Sequence, residues 1–312
     1  MADPYWPIHL IYGAGLFTIG IVVGSFLNVC IYRIPWEKSV IWPGSHCPRC
    51  WGAIEPRDNV PILGWVLLGG ACRRCRAPIA IRYPAIELLV GLLFLAAYLV
   101  DGVLPRQFVR DDAALLVKVG YHALLIALLV VITFIDADLT IVPPSVTNLG
   151  IALGLGLGAA FPAIRPTPNA AATAWGGLGV GLAGLLVGGG MIWIIRVVGG
   201  FVFRREAMGS GDIHILGMIG AFLGWQATVL IIPLAAFLGL AQALYKFARY
   251  LLKRLAGRKV SAGDRELPFG PYLSVAALIL LFSWPWAWDR SFKIYFDQFR
   301  VITLWLMGLG DI

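Results

Sequence analysis

The chain has 312 residues, 59% of them hydrophobic and 13% charged, with a formal net charge of +8 and a mean hydropathy of +0.82. Soluble domains carry roughly 25% charged residues, so this chain has about half the polar covering that a water-facing surface needs. That excludes a soluble globule, makes nucleic acid a poor reading of the basic excess, and predicts an all-α polytopic membrane protein.

Charge-free or nearly charge-free runs occur at His9 to Tyr32, Leu88 to Val100, Val119 to Ile135, Leu139 to Ile164, Ala174 to Ile195, Ile215 to Tyr245 and Gly270 to Trp288. At about 20 residues per crossing, most can span the bilayer as helices. The first run is preceded by no Lys or Arg, so it is expected to stay as a span and not to be cleaved as a signal. Ile215 to Tyr245 is long for one helix, and Gly224-Trp225-Gln226 offers a turn in its middle, which brings the count to about eight spans.

Counting Lys and Arg tests that topology. With eight spans and the N-terminus outside, eighteen basic residues face the cytoplasm and six face outward, Arg165 among the six. A single pass over Ile215 to Tyr245 would put the basic loop from Lys246 to Arg265 on the wrong side. Four units follow: a first transmembrane helix (1–34), a cytoplasmic insert (35–83), a transmembrane bundle (84–288) and an interfacial C-terminal tail (289–312). The pairs Gly150/Gly154, Gly177/Gly181 and Gly184/Gly188 have the spacing that lets helix backbones approach closely in lipid.

In the insert, Cys47-Pro48-Arg49-Cys50 is followed after 21 residues by Cys72-Arg73-Arg74-Cys75. Two C-x-x-C turns at this separation can converge on one tetrahedral ion, and four soft thiolates suit a structural Zn²⁺ in a small zinc-ribbon-like unit. An iron-sulfur or redox use is the main rival. His46 reads as a surface residue, and Cys30 as a small apolar core residue.

Acidic residues at span ends are the second signal. Asp136 and Asp138 close the third span, while Gly209-Ser210-Gly211-Asp212 opens a short sixth one. The Lys and Arg count puts both at the cytoplasmic face, so they can meet. Two nearby carboxylates sharing one proton perform aspartic peptide hydrolysis. Gly209 and Gly211, lacking Cβ atoms, would let a substrate strand approach. Helix capping is an equally good reading of Asp212 alone, and an ion or proton pathway remains a rival for the pair.

Together these residues resemble the bacterial type IV prepilin peptidases, the bifunctional leader peptidase and N-methyltransferase of pilus and type II secretion systems, a GxGD aspartic protease family. The likeness runs from about Gly24 to Leu273. It rests on Gly24 to Val29 with Arg33-Ile34-Pro35, the cysteine quartet, Asp58 to Ile62, Arg82-Tyr83-Pro84 with Glu87 to Gly91, Asp136 to Asp138 ahead of Val142-Pro143, Gly209 to Asp212, and Pro268 to Pro271.

The resemblance implies Asp136 and Asp212 as catalytic pair, with Asp138 the competitor for the first place. Asp136 is preferred because its spacing to Pro143 fits related archaeal enzymes. It also implies a prepilin or pseudopilin substrate cut after Gly at the cytoplasmic face of the bacterial inner membrane, and S-adenosylmethionine as methyl donor. Where the family usually has Lys two residues after GxGD, this chain has His214. No glycine-rich methyl-donor loop stands in the sequence, so methyl transfer follows from the likeness alone. A transporter with a metal-sensing insert, or a peptidase without the methyltransferase, are the rival functions.

Overall fold

A computed structural model describes residues 6–103, 112–165, 173–204, 208–255 and 268–287, with a few positions between 293 and 303. Most of the C-terminal tail and residues 256–267 lie outside the described residues.

The described chain is helical. Its α-helices are α1 (Trp6–Arg33), the short α2 (Leu63–Leu67), α3 (Arg82–Tyr98), α4 (Asp112–Leu139), α5 (Pro144–Ala160), α6 (Ala174–Phe203), α7 (Ser210–Leu223), α8 (Trp225–Leu255) and α9 (Gly270–Ala287). Five segments are long and apolar enough to cross a membrane: Trp6–Trp36, Arg82–Val103, Ala113–Leu139, Ala174–Val202 and Trp225–Leu252. Pro144–Ala160, Ser210–Leu223 and Gly270–Trp284 are shorter apolar helices. The expected turn falls at Gly224, whose φ of +84° only glycine adopts freely, between α7 and α8.

Several helices run past the apolar stretches because their charged ends find partners. The helix α3 starts at Arg82, six residues before the expected run, since Arg82 pairs with Asp138 at 2.6 Å and Glu87 accepts the Ile62 N–H at 2.7 Å. Thr140 N–H closes α4 on the Asp136 carbonyl, and Pro143 and Pro144 open α5 with their φ already set.

Glycines set the helix crossings. A Cβ at Gly20 would meet Gly91 Cα at 2.8 Å, and one at Gly24 would meet Glu87 Cα at 2.7 Å, so α1 and α3 run backbone to backbone. In the same way Gly184 lies on Gly220, and Gly188 on Leu216, where a Cβ would sit 2.9 Å from that residue's carbonyl carbon. The helix α7 also packs on α5, α8 and α9. Every residue from Ile215 to Leu223 is therefore buried. Fourteen residues span only about 21 Å. A helix sheathed by protein need not match the bilayer thickness.

Arg165, counted among the outward charges, lies at the end of the bundle away from Asp136 and Asp212, but it is 3% exposed and not a free loop charge. Its guanidinium donates to the carbonyls of Gly154, Gly158, Gly177 and Ala221 at 2.5 to 3.2 Å. These belong to α5, α6 and α7, so a single cation takes up carbonyls where three helix ends converge, including orphans of the last turns of α5 and α7. Nearby, the Tyr121 hydroxyl donates to the carbonyls of Phe222 at 2.9 Å and Gly154 at 3.3 Å. At this same end the buried Asp101, in a π-helical turn after α3, meets His122 Nδ1 at 2.6 Å and Lys118 Nζ at 3.0 Å.

Candidate active site

Asp136 and Asp212 lie at the opposite end from Arg165. Asp136 is in the last turn of α4 and Asp212 is the third residue of α7. They are 6% and 7% exposed, and each carboxylate is within electrostatic range of the other. The N–H of Gly270, first residue of α9, donates to Asp136 Oδ2 at 3.0 Å. A Cβ at 270 would run into that oxygen and into Ile215 of α7, so Gly270 is what allows α4, α7 and α9 to meet around the carboxylate. Asp212 accepts an N–H from Gly209. Each carboxylate thus meets a helix N-terminus whose free N–H groups favour negative charge, Asp136 that of α9 and Asp212 that of α7, while Asp136 also closes α4, at the negative end of that helix's dipole.

The two glycines of the GxGD stretch differ. Gly209 has only the Asp212 carboxylate near its absent Cβ, at 3.7 Å. The space at Gly211 is filled by Val142, whose methyl would lie 2.6 Å from a Cβ there. Gly211 therefore seats the first turn of α7 against the α4–α5 linker and leaves no room for a strand to approach. Asp138 stands apart: its side chain is 42% exposed and paired with Arg82, which also lies over the Phe134 ring at 5.0 Å. His214 is exposed, its Nδ1 3.2 Å from the Ser210 carbonyl.

The insert hangs from the same end. Its two cysteine turns repeat one geometry. Cys47 N–H bonds the Gly52 carbonyl and Trp51 N–H bonds Cys47, just as Cys72 N–H bonds Ala77 and Arg76 N–H bonds Cys72. Trp51 and Arg76, each following the second cysteine of its turn, adopt φ of +55° and +57°. Among the described residues the insert has no strands, only the isolated bridges His46 to Ala53 and Ala71 to Pro78.

The four thiol sulfurs lie within 4.8 Å of one another, and Cys47 Sγ is 3.7 Å from Cys75 Sγ. Tetrahedral ligands at ~2.3 Å from an ion stand ~3.8 Å apart, so the donor set fits a Cys₄ metal site. Backbone N–H groups of Cys50 and Arg49 hold the Cys47 thiol down to about 6, and those of Cys75 and Arg74 lower Cys72. The Ala77 N–H pulls Cys75 the same way, but desolvation and the neighbouring thiols outweigh it and push it up to about 11. Four sulfurs this close repel as anions, and a cation among them is what reverses that cost. His46 stacks on Trp51 at 5.1 Å and supplies no ligand atom to the cluster.

Comparison with known proteins bears on both regions. Residues 18–100 match the bacterial peptidase A24 N-terminal domain, and residues 123–244 match the type IV leader peptidase family. A protein of Aeromonas salmonicida named prepilin leader peptidase/N-methyltransferase is 31% identical over 296 residues, 87% of this chain and 90% of its own length. The chain belongs to the type IV leader peptidase family.

Other family relatives agree. A Myxococcus xanthus protein of the same name is 38% identical over 224 residues, 72% of this chain, although the match spans only 60% of that relative's length. An Escherichia coli type 4 prepilin-like proteins leader peptide-processing enzyme is 32% identical over 84% of this chain and 91% of its own. No solved structure matches. Within this family member, the A24 N-terminal match covers most of α1, the whole insert and α3, whereas the peptidase match holds both Asp136 and Asp212. Sequence reasoning missed Gly270 as the partner of Asp136. The Pro268 to Pro271 motif marked the place, and only the approach of α9 to α4 shows its use.

Proposed function

We propose that this chain is an intramembrane aspartic endopeptidase that removes the basic leader of type IV prepilins or pseudopilins and then methylates the new N-terminus. Its place is the bacterial inner membrane, with the N-terminus outside and both the acid pair and the insert at the cytoplasmic face. The observation that carries the reading is the convergence of Asp136 and Asp212, 76 residues apart in sequence, at one end of a bundle whose family is that of leader peptidases.

In the reaction one carboxylate draws a proton from a water held between the two, and the other carboxyl donates a proton to the scissile carbonyl oxygen. The resulting tetrahedral diol collapses when a proton passes to the leaving amine, which is the N-terminal nitrogen of the mature pilin. The Gly270 N–H keeps Asp136 oriented, and the Gly209 N–H does the same for Asp212. Burial of both acids behind α9 and α7 limits the water that reaches them to what the site can order.

Cys47, Cys50, Cys72 and Cys75 would hold Zn²⁺ in a closed shell that leaves no position for substrate, so its role is to fold the insert. S-adenosylmethionine, when bound, supplies the methyl group.

The test is incubation of the purified enzyme in lipid with a full-length prepilin, with and without S-adenosylmethionine, followed by mass spectrometry of the product. Loss of the leader with a further methyl only when the donor is present is expected. An uncut prepilin overturns the peptidase reading, and cleavage that never yields the methylated mass overturns the second activity.

A further inference from the structure

Between the two cysteine turns runs a segment without charge, Asn59 to Ala71, with the short helix α2 at its centre. Its apolar side chains do not form a core. Leu63 is 59% exposed, Val66 58% and Leu67 80%, while Trp65 turns inward and donates its Nε1 to the Ile79 carbonyl at 3.0 Å. A water-facing helix of this composition would be costly.

The depth of α2 is fixed by one hydrogen bond. Glu87 of α3, itself 7% exposed, accepts the N–H of Ile62, the residue before α2. Glu87 lies five residues beyond Arg82, which is about 7.5 Å along the helix at ~1.5 Å per residue. A helical side chain leans back toward its own N-terminus, so Ile62 sits roughly one turn inside the start of α3. Amphipathic segments that lie in a membrane surface are sunk by ~5–10 Å, which is this depth.

Two further observations name the occupant. Leu88 and Leu89, next to Glu87 in sequence, are 43% and 39% exposed, so at the level where Glu87 holds Ile62 the helix α3 already presents leucines to lipid. Arg74 and Arg76 flank the segment and are exposed, cations of the kind that anchor at anionic headgroups, while Arg57, Arg73 and Arg82 are taken up by Glu55, Asp58 and Asp138. Glycines then reverse the chain: Gly69 and Gly70 have φ of +62° and +68°, returning it to the second cysteine turn.

We propose that α2 is a membrane anchor, lying in the headgroup and upper acyl region of the same leaflet that α1 leaves and α3 enters, with Leu63, Val66 and Leu67 in lipid. The cysteine insert is then a monotopic element held at a set height over the bilayer. This rests on the membrane-spanning helices and not on the peptidase reading.

The test places a photoreactive benzoylphenylalanine at position 67 of the full-length protein in nanodiscs of phosphatidylethanolamine and phosphatidylglycerol. After illumination, adducts are weighed by mass spectrometry. Position 66 serves as a second site should the first perturb folding, position 88 as a lipid-facing control, and position 49 on a cysteine turn as the opposite control. Phospholipid adducts at 67 or 66 at the yield of position 88, and none at 49, are expected. Labelling at 88 without labelling at 66 and 67 overturns the proposal. So does capture at 67 of a second copy of the chain, or of an added pilin, in place of lipid.

Discussion

At one end of the bundle Arg165 donates to four backbone carbonyls from three helices, Tyr121 to two, and Asp101 holds both His122 and Lys118. At the other end, Asp136 and Asp212 each accept one described backbone N–H, from Gly270 and Gly209, although an ionised carboxylate can accept about four hydrogen bonds. Both ends bury charge to within a few per cent of complete. The Arg165 end uses it to join helices, with Arg165 Nε and His122 Nε2 left unpartnered among its described polar atoms, whereas the aspartate end leaves on each carboxylate the acceptor sites that the proposed reaction needs. What the buried charge faces, backbone carbonyls of several helices or open acceptor sites, separates the two ends more than burial does.

The comparison breaks most directly at the acids. Asp136→Asn and Asp212→Asn should each cut the cleavage rate by roughly 10³-fold or more while thermal unfolding in lipid stays close to the parent. An active Asn variant at either place would remove that acid from the pair. Arg165→Leu should do the reverse. Removing the cation that the last-turn carbonyls of Gly158 and Ala221 rely on costs about 3 kcal/mol, seen as a lowered unfolding midpoint, while the protein that remains folded cleaves at near the parent rate.

Asp138→Asn sharpens the contrast between neighbours on one helix. It breaks an exposed pair with Arg82, worth about 1 kcal/mol or less, and cleavage should persist. The cysteines lie outside both ends. Exchanging Cys72 and Cys75 together for serine should release the metal, read by elemental analysis, and open the insert to protease while the helices stay intact.

The smallest effect is one of pH. Arg73, bonded to Asp58 at 2.6 and 2.7 Å, holds that carboxyl below its ordinary 3.8. A folded-state value below the unfolded one contributes stability above 3.8, which is lost as pH falls through the lower value. Protection of the insert from protease should therefore fade only below about pH 4, and Asp58→Asn should flatten that dependence.

Much of this was legible from residue types alone. Apolar runs located the helices because lipid demands them, the cysteine spacing announced the convergence of four thiols, and the charge bias brought Asp136 and Asp212 to one end. What escaped depends on contacts between distant segments. Arg165 reads as an ordinary loop charge until three helix termini converge on it. Gly211 reads as open space for substrate until Val142 is seen to occupy it. The Glu87 bond to Ile62 has no local signature, since its donor is a main-chain group 25 residues away.

The glycine seam between α6 and α7 has a genetic consequence. Gly184, Gly188 and Gly220 stand where even one added methyl would force two backbones apart, and α7 carries Asp212 at its tip. Random mutagenesis scored for lost processing should thus recover alleles along this seam, about one to two turns of α7 from Asp212, as readily as at the acids themselves.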